Sequence, residues 1–321
     1  MGKEPKPKAS LAELVRRYLI RWSLQSRSVF LRMSRANRLA LSVAPEITCI
    51  DVGASHFLHR KWLPAFQTNR TTVIAVDPNE WNLSYLELLR LPARLISHAR
   101  GLSADGGAQT LYVTNVDTGS SLKRPSPTPT QNTRLGGHPF RYFFPMREVK
   151  IPTDSLEGLT QMHGIISPIF VKLDTQGSEL DILIGASHLF DQGQIVMVES
   201  EASLLRETNY ENATRLSELT IFMESKGFDL VDLDIVRSKS GIRKSQGVLN
   251  ECDAIFVMGF ERVAKCTIEV RLAALFSYLL IGQNDLAKRL LQMDPELSNH
   301  VNQTLSTKQL DLVLEKFKRL V

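Results

Sequence analysis

Nowhere in this 321-residue sequence does an apolar run approach the roughly 18–20 residues that a membrane-spanning helix needs. The longest candidate, Leu272 to Ile281, is about half that length and carries Ser277. Cysteine is scarce. Cys49, Cys252 and Cys266 are odd in number and widely spaced, which excludes a disulfide framework and a zinc-ligand pattern. Cys49 and Cys252 lie in or beside expected strands and read as small core residues. The seven histidines are scattered without pairing. The N-terminus is basic but has no apolar core followed by a small-residue cleavage site, so no secretory signal is expected. A reducing cytosol is the expected compartment. The 43% hydrophobic and 23% charged residues that remain are the composition of a globular protein. The length suits one large domain with attachments, or two domains.

Acidic residues are thin in one place. Residues 1–44 hold ten lysines and arginines against only Glu4 and Glu13, so this arm carries +8 and the remaining residues sum to −3. Residues 1–9 are Lys/Pro-rich and read as disordered. Ser10 and Glu13 have the spacing of a capping box. After them, Leu11, Leu14, Val15, Tyr18, Leu19 and Trp22 recur at helical spacing, with Arg16, Arg17 and Arg21 off that stripe. Such a helix can dock on its own domain with the arginines in water, or rest on an anionic membrane surface or partner.

The chain is organised around Thr48-Cys49-Ile50-Asp51-Val52-Gly53-Ala54-Ser55. A short apolar run ending in a carboxylate and a glycine reads as a buried parallel strand reaching the edge where open α/β sheets bind ligands. Lys61-Trp62-Leu63 reads as the start of a following helix. The next strand, Thr72–Val76, ends in Asp77, 24 residues after Gly53. An acid there can hydrogen-bond a ribose diol. These two ends describe half of a nucleoside-binding crevice, or an ordinary βαβ unit with two solvated aspartates. Only one glycine follows Asp51 before Ser55-His56-Phe57, so a dinucleotide fingerprint is absent.

Further along, a strand or hairpin is expected near Gln109–Val113, and Thr114 to Phe144 is irregular and reads as a cover over the crevice. Ile169–Leu173 reads as a strand ending in Asp174. After a glycine turn comes a helix whose Leu180, Leu183 and Ile184 face the sheet. Ile195–Val198 is another parallel strand, followed by Glu199 and Glu201. A helix over 212–226 stops at Gly227. Phe228–Val231 and Ala254–Met258 read as a closing antiparallel pair, because a long polar connection separates them. Residues 261–321 read as helices, with a faint tetratricopeptide look around Tyr278–Pro295 but no second copy. They form an appendage on the domain or a contact for a homo-oligomer.

Together these segments resemble the FkbM family of S-adenosylmethionine-dependent methyltransferases. The resemblance is carried by Asp51-Val52-Gly53-Ala54-Ser55, Val76-Asp77-Pro78, Leu102–Gly106, Thr153–Leu156, Val171–Leu180, Gly185-Ala186 and Asp253–Val257. Within the most distinctive run, Thr175-Gln176 stands where the family form usually has valine and glutamate. The resemblance implies an α/β fold: a Rossmann-like seven-stranded sheet with its last strand antiparallel, over residues 45–260. A helical arm (1–44) and a helical extension (261–321) flank it. It implies S-adenosyl-L-methionine as cofactor and O-methylation of hydroxyls on sugars, glycolipids or polyketide-like metabolites. By position, Asp51 and Gly53 fall at the methionine end, Asp77 at the ribose, and Ser103 and Asp105 at the adenine side, with Ser55 as a further cofactor-binding residue. The bulky Ser55-His56-Phe57 turn departs from a family pattern that often has a second glycine there.

Methyl transfer to a hydroxyl needs two positioned reactants and a base. Asp174 is the first candidate for that base, with Glu199, Glu201 and His138 behind it. Asp174 can instead cap the helix that follows Gly177-Ser178. Lys172 reads as a strand residue whose charge snorkels outward. The expected partner is a small-molecule or glycan acceptor, with peripheral membrane contact through the arm as a further option. A nucleic-acid methyltransferase steered by the arm, or a cofactor-free assembly subunit, are the competing classes. No aromatic–basic interleaving supports nucleic-acid binding.

Overall fold

The apolar run that opens the sheet, β1 (Ile47–Val52), is buried at all six positions, as a central strand covered on both faces must be. It belongs to a computed structural model that describes residues 34–55, 57–127, 144–206, 208–238 and 247–317. A short helix, α1 (Arg35–Ser42), precedes it and is capped by Ser34, whose hydroxyl accepts the Asn37 N–H. After it come β2 (Thr71–Val76), the one-turn helix α2 (Glu80–Ser84) and β3 (Arg94–His98). The second half supplies β7 (Ile169–Leu173), β8 (Ile195–Ser203), β9 (Phe228–Ser238) and β10 (Val248–Met258). These strands form one seven-stranded sheet in the order β3-β2-β1-β7-β8-β10-β9. β10 runs antiparallel to both β8 and β9, as expected of the closing pair.

The order turns at β1, which pairs with β2 on one side and with β7 on the other. That reversal leaves a crevice at the carboxyl ends of the two strands, where loops leave in opposite directions. A second sheet of β4 (Gly101–Leu102), β6 (Pro145–Asp154) and β5 (Gly107–Thr114), in that order, stands beside the crevice.

Helices α3 (Leu156–Met162), α4 (Glu179–Ile184), α5 (Ser187–Asp191) and α6 (Leu216–Ser225) join the later strands. After β10 come α7 (Phe260–Val263), α8 (Ile268–Leu280), α9 (Asn284–Met293), α10 (Pro295–Asn302) and α11 (Thr307–Lys316). α8 is buried continuously from Leu272 to Leu280, a pattern that marks a helix covered on all sides. It packs on β8 and β10, and the Tyr278 hydroxyl donates to the Met258 carbonyl at 2.9 Å. α11 lies against α1. Among the described residues, no helix is long and apolar enough to cross a membrane.

Several local expectations change. Lys61-Trp62-Leu63 opens no α-helix; two short 3-10 turns, Arg60–Trp62 and Ala65–Gln67, bury Trp62 and Phe66 instead. Pro64 removes a backbone donor at the point where a longer helix would have continued. The strand near Gln109–Val113 belongs to the small sheet, while the third strand of this half of the main sheet is Arg94–His98, which its mixed pattern conceals. In α4 the buried apolar side chains are Ile182 and Leu183, and Ile184 is half exposed. Cys49 and Cys252 are free and buried, as expected. The arm helix over residues 11–22 lies outside the described residues.

Candidate active site

Strand register assembles the site from residues far apart in sequence. Asp51 on β1 stands beside Lys172 on β7, and Lys172 stands beside Glu199 on β8. One step further along, Glu201 is opposite Asp253 on β10, and Asp253 is opposite Asp234 on β9. Because side chains alternate faces every residue along a strand, these groups collect on one face near the sheet's carboxyl edge. All of them except Glu201 border a cavity of about 970 Å³ whose other wall is made by Leu111, Val113, Val149 and Ile151 of the small sheet.

The turn after β1 closes tightly. Gly53 adopts φ +80, and a Cβ built on it would lie 2.0 Å from the Asp174 carbonyl oxygen. Only glycine suits both that dihedral and that approach. Asp51 is 1% exposed. Its Oδ2 accepts the His59 N–H at 2.8 Å, while Oδ1 has no hydrogen bond and lies 3.6 Å from Lys172 Nζ. At the end of β2, Asp77 accepts the Asn79 N–H at 2.8 Å and both hydrogen-bonding reaches of the Asn82 amide at 3.2 Å. That network fixes the plane of its carboxylate.

Two ion-pair groups stand between the turn and the closing strands. Lys172 Nζ is 3.1 Å from Asp174 Oδ2, and the Gln176 amide donates to Asp174 Oδ1 at 2.9 Å and to Glu201 Oε2 at 2.8 Å. Burial opposes the charge on Lys172, but Asp174 and Asp51 override it and hold the ammonium above its usual range. Burial likewise works against the Asp174 carboxylate, and Lys172 and Gln176 outweigh it to leave that group below its usual range. Glu199 is 2% exposed and is held by Lys61 Nζ at 2.5 Å and His59 Nε2 at 2.8 Å. Burial pushes Glu199 up, yet His59 and Lys61 hold it down to about 2. Trp62 meets the His59 ring edge-on at 5.3 Å. Asp253 moves the other way, since burial and the nearby Glu199 raise it.

Asp174 does not cap the helix after Gly177-Ser178, whose Leu180 N–H donates to the Thr214 hydroxyl at 2.9 Å, and the turn before that helix is tied by Glu179. Its Oε1 accepts the Thr175 N–H, the Thr175 hydroxyl and the Gly177 N–H at 2.9–3.0 Å. This holds Gln176 at φ +59 and Gly177 at φ +111, a turn that aims the Gln176 amide at Asp174.

Of the residues singled out from sequence, Asp51, Gly53, Ser55, Asp77, Asp174 and Glu199 border one cavity. Ser103 and Asp105 do not. The Ser103 hydroxyl pairs with Thr153 at 2.8 Å and accepts the Gly106 N–H, and Asp105 is exposed in the turn between β4 and β5. His138 lies outside the described residues. Lys172 does not snorkel into solvent, because two aspartates hold it against the cavity. Sequence reasoning passed over His59 and Lys61, at a short 3-10 turn, and Asn82, in the one-turn helix α2, none of which has a periodic signal. Asp253 did carry a signal, as an acid at the head of the apolar run Ala254–Met258. Among the described residues, no group of three or more His, Cys, Asp or Glu has an arrangement that could hold a metal ion.

A family model described as the methyltransferase FkbM domain matches residues 51–230, more than half of the chain. No curated protein matches the chain. Among solved structures, M. jannaschii TYW2 in complex with AdoMet is 12% identical, with 71% of this chain and 78% of that one covered and a TM-score of 0.27. An S-adenosylmethionine-dependent methyltransferase from Clostridium acetobutylicum is 7% identical, with coverages of 75% and 99% and a TM-score of 0.28. The 23S rRNA methyltransferase ErmE is 8% identical, with coverages of 77% and 76% and a TM-score of 0.26. Scores this low carry no argument about acceptor or mechanism.

Proposed function

The chain belongs to the FkbM methyltransferase family, and from that premise we propose that it moves a methyl group from S-adenosylmethionine to a hydroxyl on a sugar, glycolipid or polyketide-like metabolite. The observation that carries the reading is the cavity at the switch point, bordered at once by Asp51, Gly53 and Asp77. Its volume of about 970 Å³ is at the upper end of the roughly 300–1,000 Å³ typical of ligand sites, so it has room for a nucleoside and an acceptor together. The residues fit that cofactor on their own chemistry. Asp51 Oδ1 is buried without a hydrogen bond and suits an ammonium group. Asp77, its carboxylate fixed by Asn79 and Asn82, stands at the second strand end, where an acid receives ribose hydroxyls.

When bound, the sulfonium supplies an electrophilic methyl group for in-line displacement by an acceptor oxygen. This chain positions both reactants. Asp174 and Glu199 are ionised and engaged at both oxygens, so their part is to keep fixed negative charge beside a cationic cofactor. Lys172 and Lys61 hold those carboxylates in place. The apolar wall of Leu111, Val113, Val149 and Ile151 excludes water from the opposite side.

Calorimetric titration with S-adenosylhomocysteine tests the reading. The intact protein is expected to bind, and Asp77→Ala to bind at least about tenfold more weakly, a loss of roughly 1.4 kcal/mol or more. Absence of binding by the intact protein would remove the methyltransferase assignment and leave a binding subunit on the same fold.

A further inference from the structure

The carboxylates around the cavity are not equivalent. Asp174 is occupied at both oxygens by Lys172 and Gln176, and Glu199 by Lys61 and His59. Asp51 and Asp77 each accept a backbone N–H, and Asp234 lies 3.8 Å from Lys61. Among the described residues, Asp253 is the cavity carboxylate with neither a hydrogen bond nor an ion pair. Its place in the sheet explains this. Its cross-strand neighbours are Glu201 on β8 and Asp234 on β9, both acids. Glu199 stands two residues before Glu201 on the same face of β8, and the nearest cations, Lys61 and Lys172, are engaged with Glu199 and Asp174.

We propose that Asp253 is the general base that accepts the proton of the acceptor hydroxyl. This rests on the methyltransferase reading and adds to it the residue that performs the proton transfer. A base for this step must face the cavity, must have a free lone pair, and must hold a proton more readily than an ordinary carboxylate. Asp253 borders the cavity and has both oxygens free. Burial and the surrounding acids Glu199 and Asp174 raise its proton affinity, with Lys61 and Lys172 opposing. Asp174 and Glu199 are shifted in the opposite direction by their cations, which makes them weaker bases.

The step balances as follows. A lone pair of the acceptor oxygen forms the new O–C bond, and the C–S bond breaks with its electron pair remaining on sulfur. The hydroxyl proton passes to an oxygen of Asp253 and then to solvent. No oxidant, reductant or further reactant enters.

The test uses the full chain and two isosteric or near-isosteric variants, Asp253→Asn and Asp253→Glu. Three readouts are taken: affinity for S-adenosylhomocysteine, carbon-13 NMR titration of labelled aspartate carboxyls, and transfer of a tritiated methyl group to methyl glucoside. Asp253→Asn is expected to bind S-adenosylhomocysteine within about twofold of the parent. The resonance missing from Asp253→Asn is expected to titrate above the ordinary aspartate value of about 3.9. Transfer should fall by about a hundredfold or more in Asp253→Asn and recover partly in Asp253→Glu. The parent rate should rise with pH through that same titration, and the variant should lose this limb.

A carboxyl at Asp253 that titrates at or below the ordinary value, or an Asp253→Asn protein that transfers as fast as the parent, overturns the proposal. The titration decides the matter even if methyl glucoside is not methylated. Failure of the parent to bind S-adenosylhomocysteine strikes the methyltransferase reading itself, whereas intact binding with an ordinary Asp253 strikes only the base assignment.

Discussion

Replacing Glu199 by glutamine should reveal a charge whose worth depends on pH in a calculable way. Glu199 is 2% exposed, and Lys61 and His59 hold its carboxyl at about 2 in place of the ordinary 4.5. At roughly 1.36 kcal/mol per pKa unit, that difference amounts to about 3 kcal/mol of stability. Its sign follows from linkage: a depressed folded value stabilises the native state above the ordinary pKa, and the gain disappears as pH falls from about 4.5 through about 2. Glutamine keeps the shape and loses the charge, leaving Lys61, only 14% exposed, with Asp234 at 3.8 Å as its remaining acid. The variant should therefore be about 2–3 kcal/mol less stable at pH 7. For 321 residues, at roughly 2.1 cal/mol/K of unfolding entropy each, this is a fall in Tm of about 3–5 °C. Urea unfolding of both proteins at pH 7, 5, 4 and 3 is the assay. The gap should be widest at pH 7 and shrink below about pH 4.5. A gap that stays constant with pH, or one under about 0.5 kcal/mol at pH 7, would refute the reasoning.

Two other substitutions probe the turns that shape the site. Gly53→Ala combines a φ of +80 with a Cβ 2.0 Å from the Asp174 carbonyl. A loss of about 2 kcal/mol or more is expected by thermal melting, and a near-neutral result would contradict the turn geometry. Gln176→Glu places a third carboxylate between Asp174 and Glu201, which now share one amide. The variant should be about 1–2 kcal/mol less stable at pH 7 and regain stability as pH falls into the carboxylate range, because protonation removes the repulsion. Denaturant midpoints at pH 7 and 4.5 would show whether the deficit shrinks.

The ends of β1 and β2 were legible because their signals are local. Asp51-Val52-Gly53 and Val76-Asp77 each join an apolar run to an acid at a turn, and the 24 residues between Gly53 and Asp77 fix the return of a neighbouring parallel strand. The same logic located β7, β8 and the antiparallel pair. Arg94–His98 was missed because Leu95 and Ile96 stand between polar residues and give it no continuous apolar run. The helix expected after β1 failed because Pro64 interrupts a stretch whose composition otherwise suits a helix.

What the sequence by itself determined is the fold class, most of the main strands, the family and the two acids that end β1 and β2. Those depend on periodicity, turn chemistry and motif order, all of which are written within a few residues of one another. Pairing across strands was decided only by tertiary structure. Lys172, Glu199 and Asp253 are separated by 27 and 54 residues along the chain, yet sheet register brings their strands together at the cavity. His59 and Lys61 reach Glu199 across more than a hundred residues through a turn with no sequence period. The protonation of each acid then follows from which cation folding places beside it. Asp174 and Glu199 receive one, and Asp253 is left among acids.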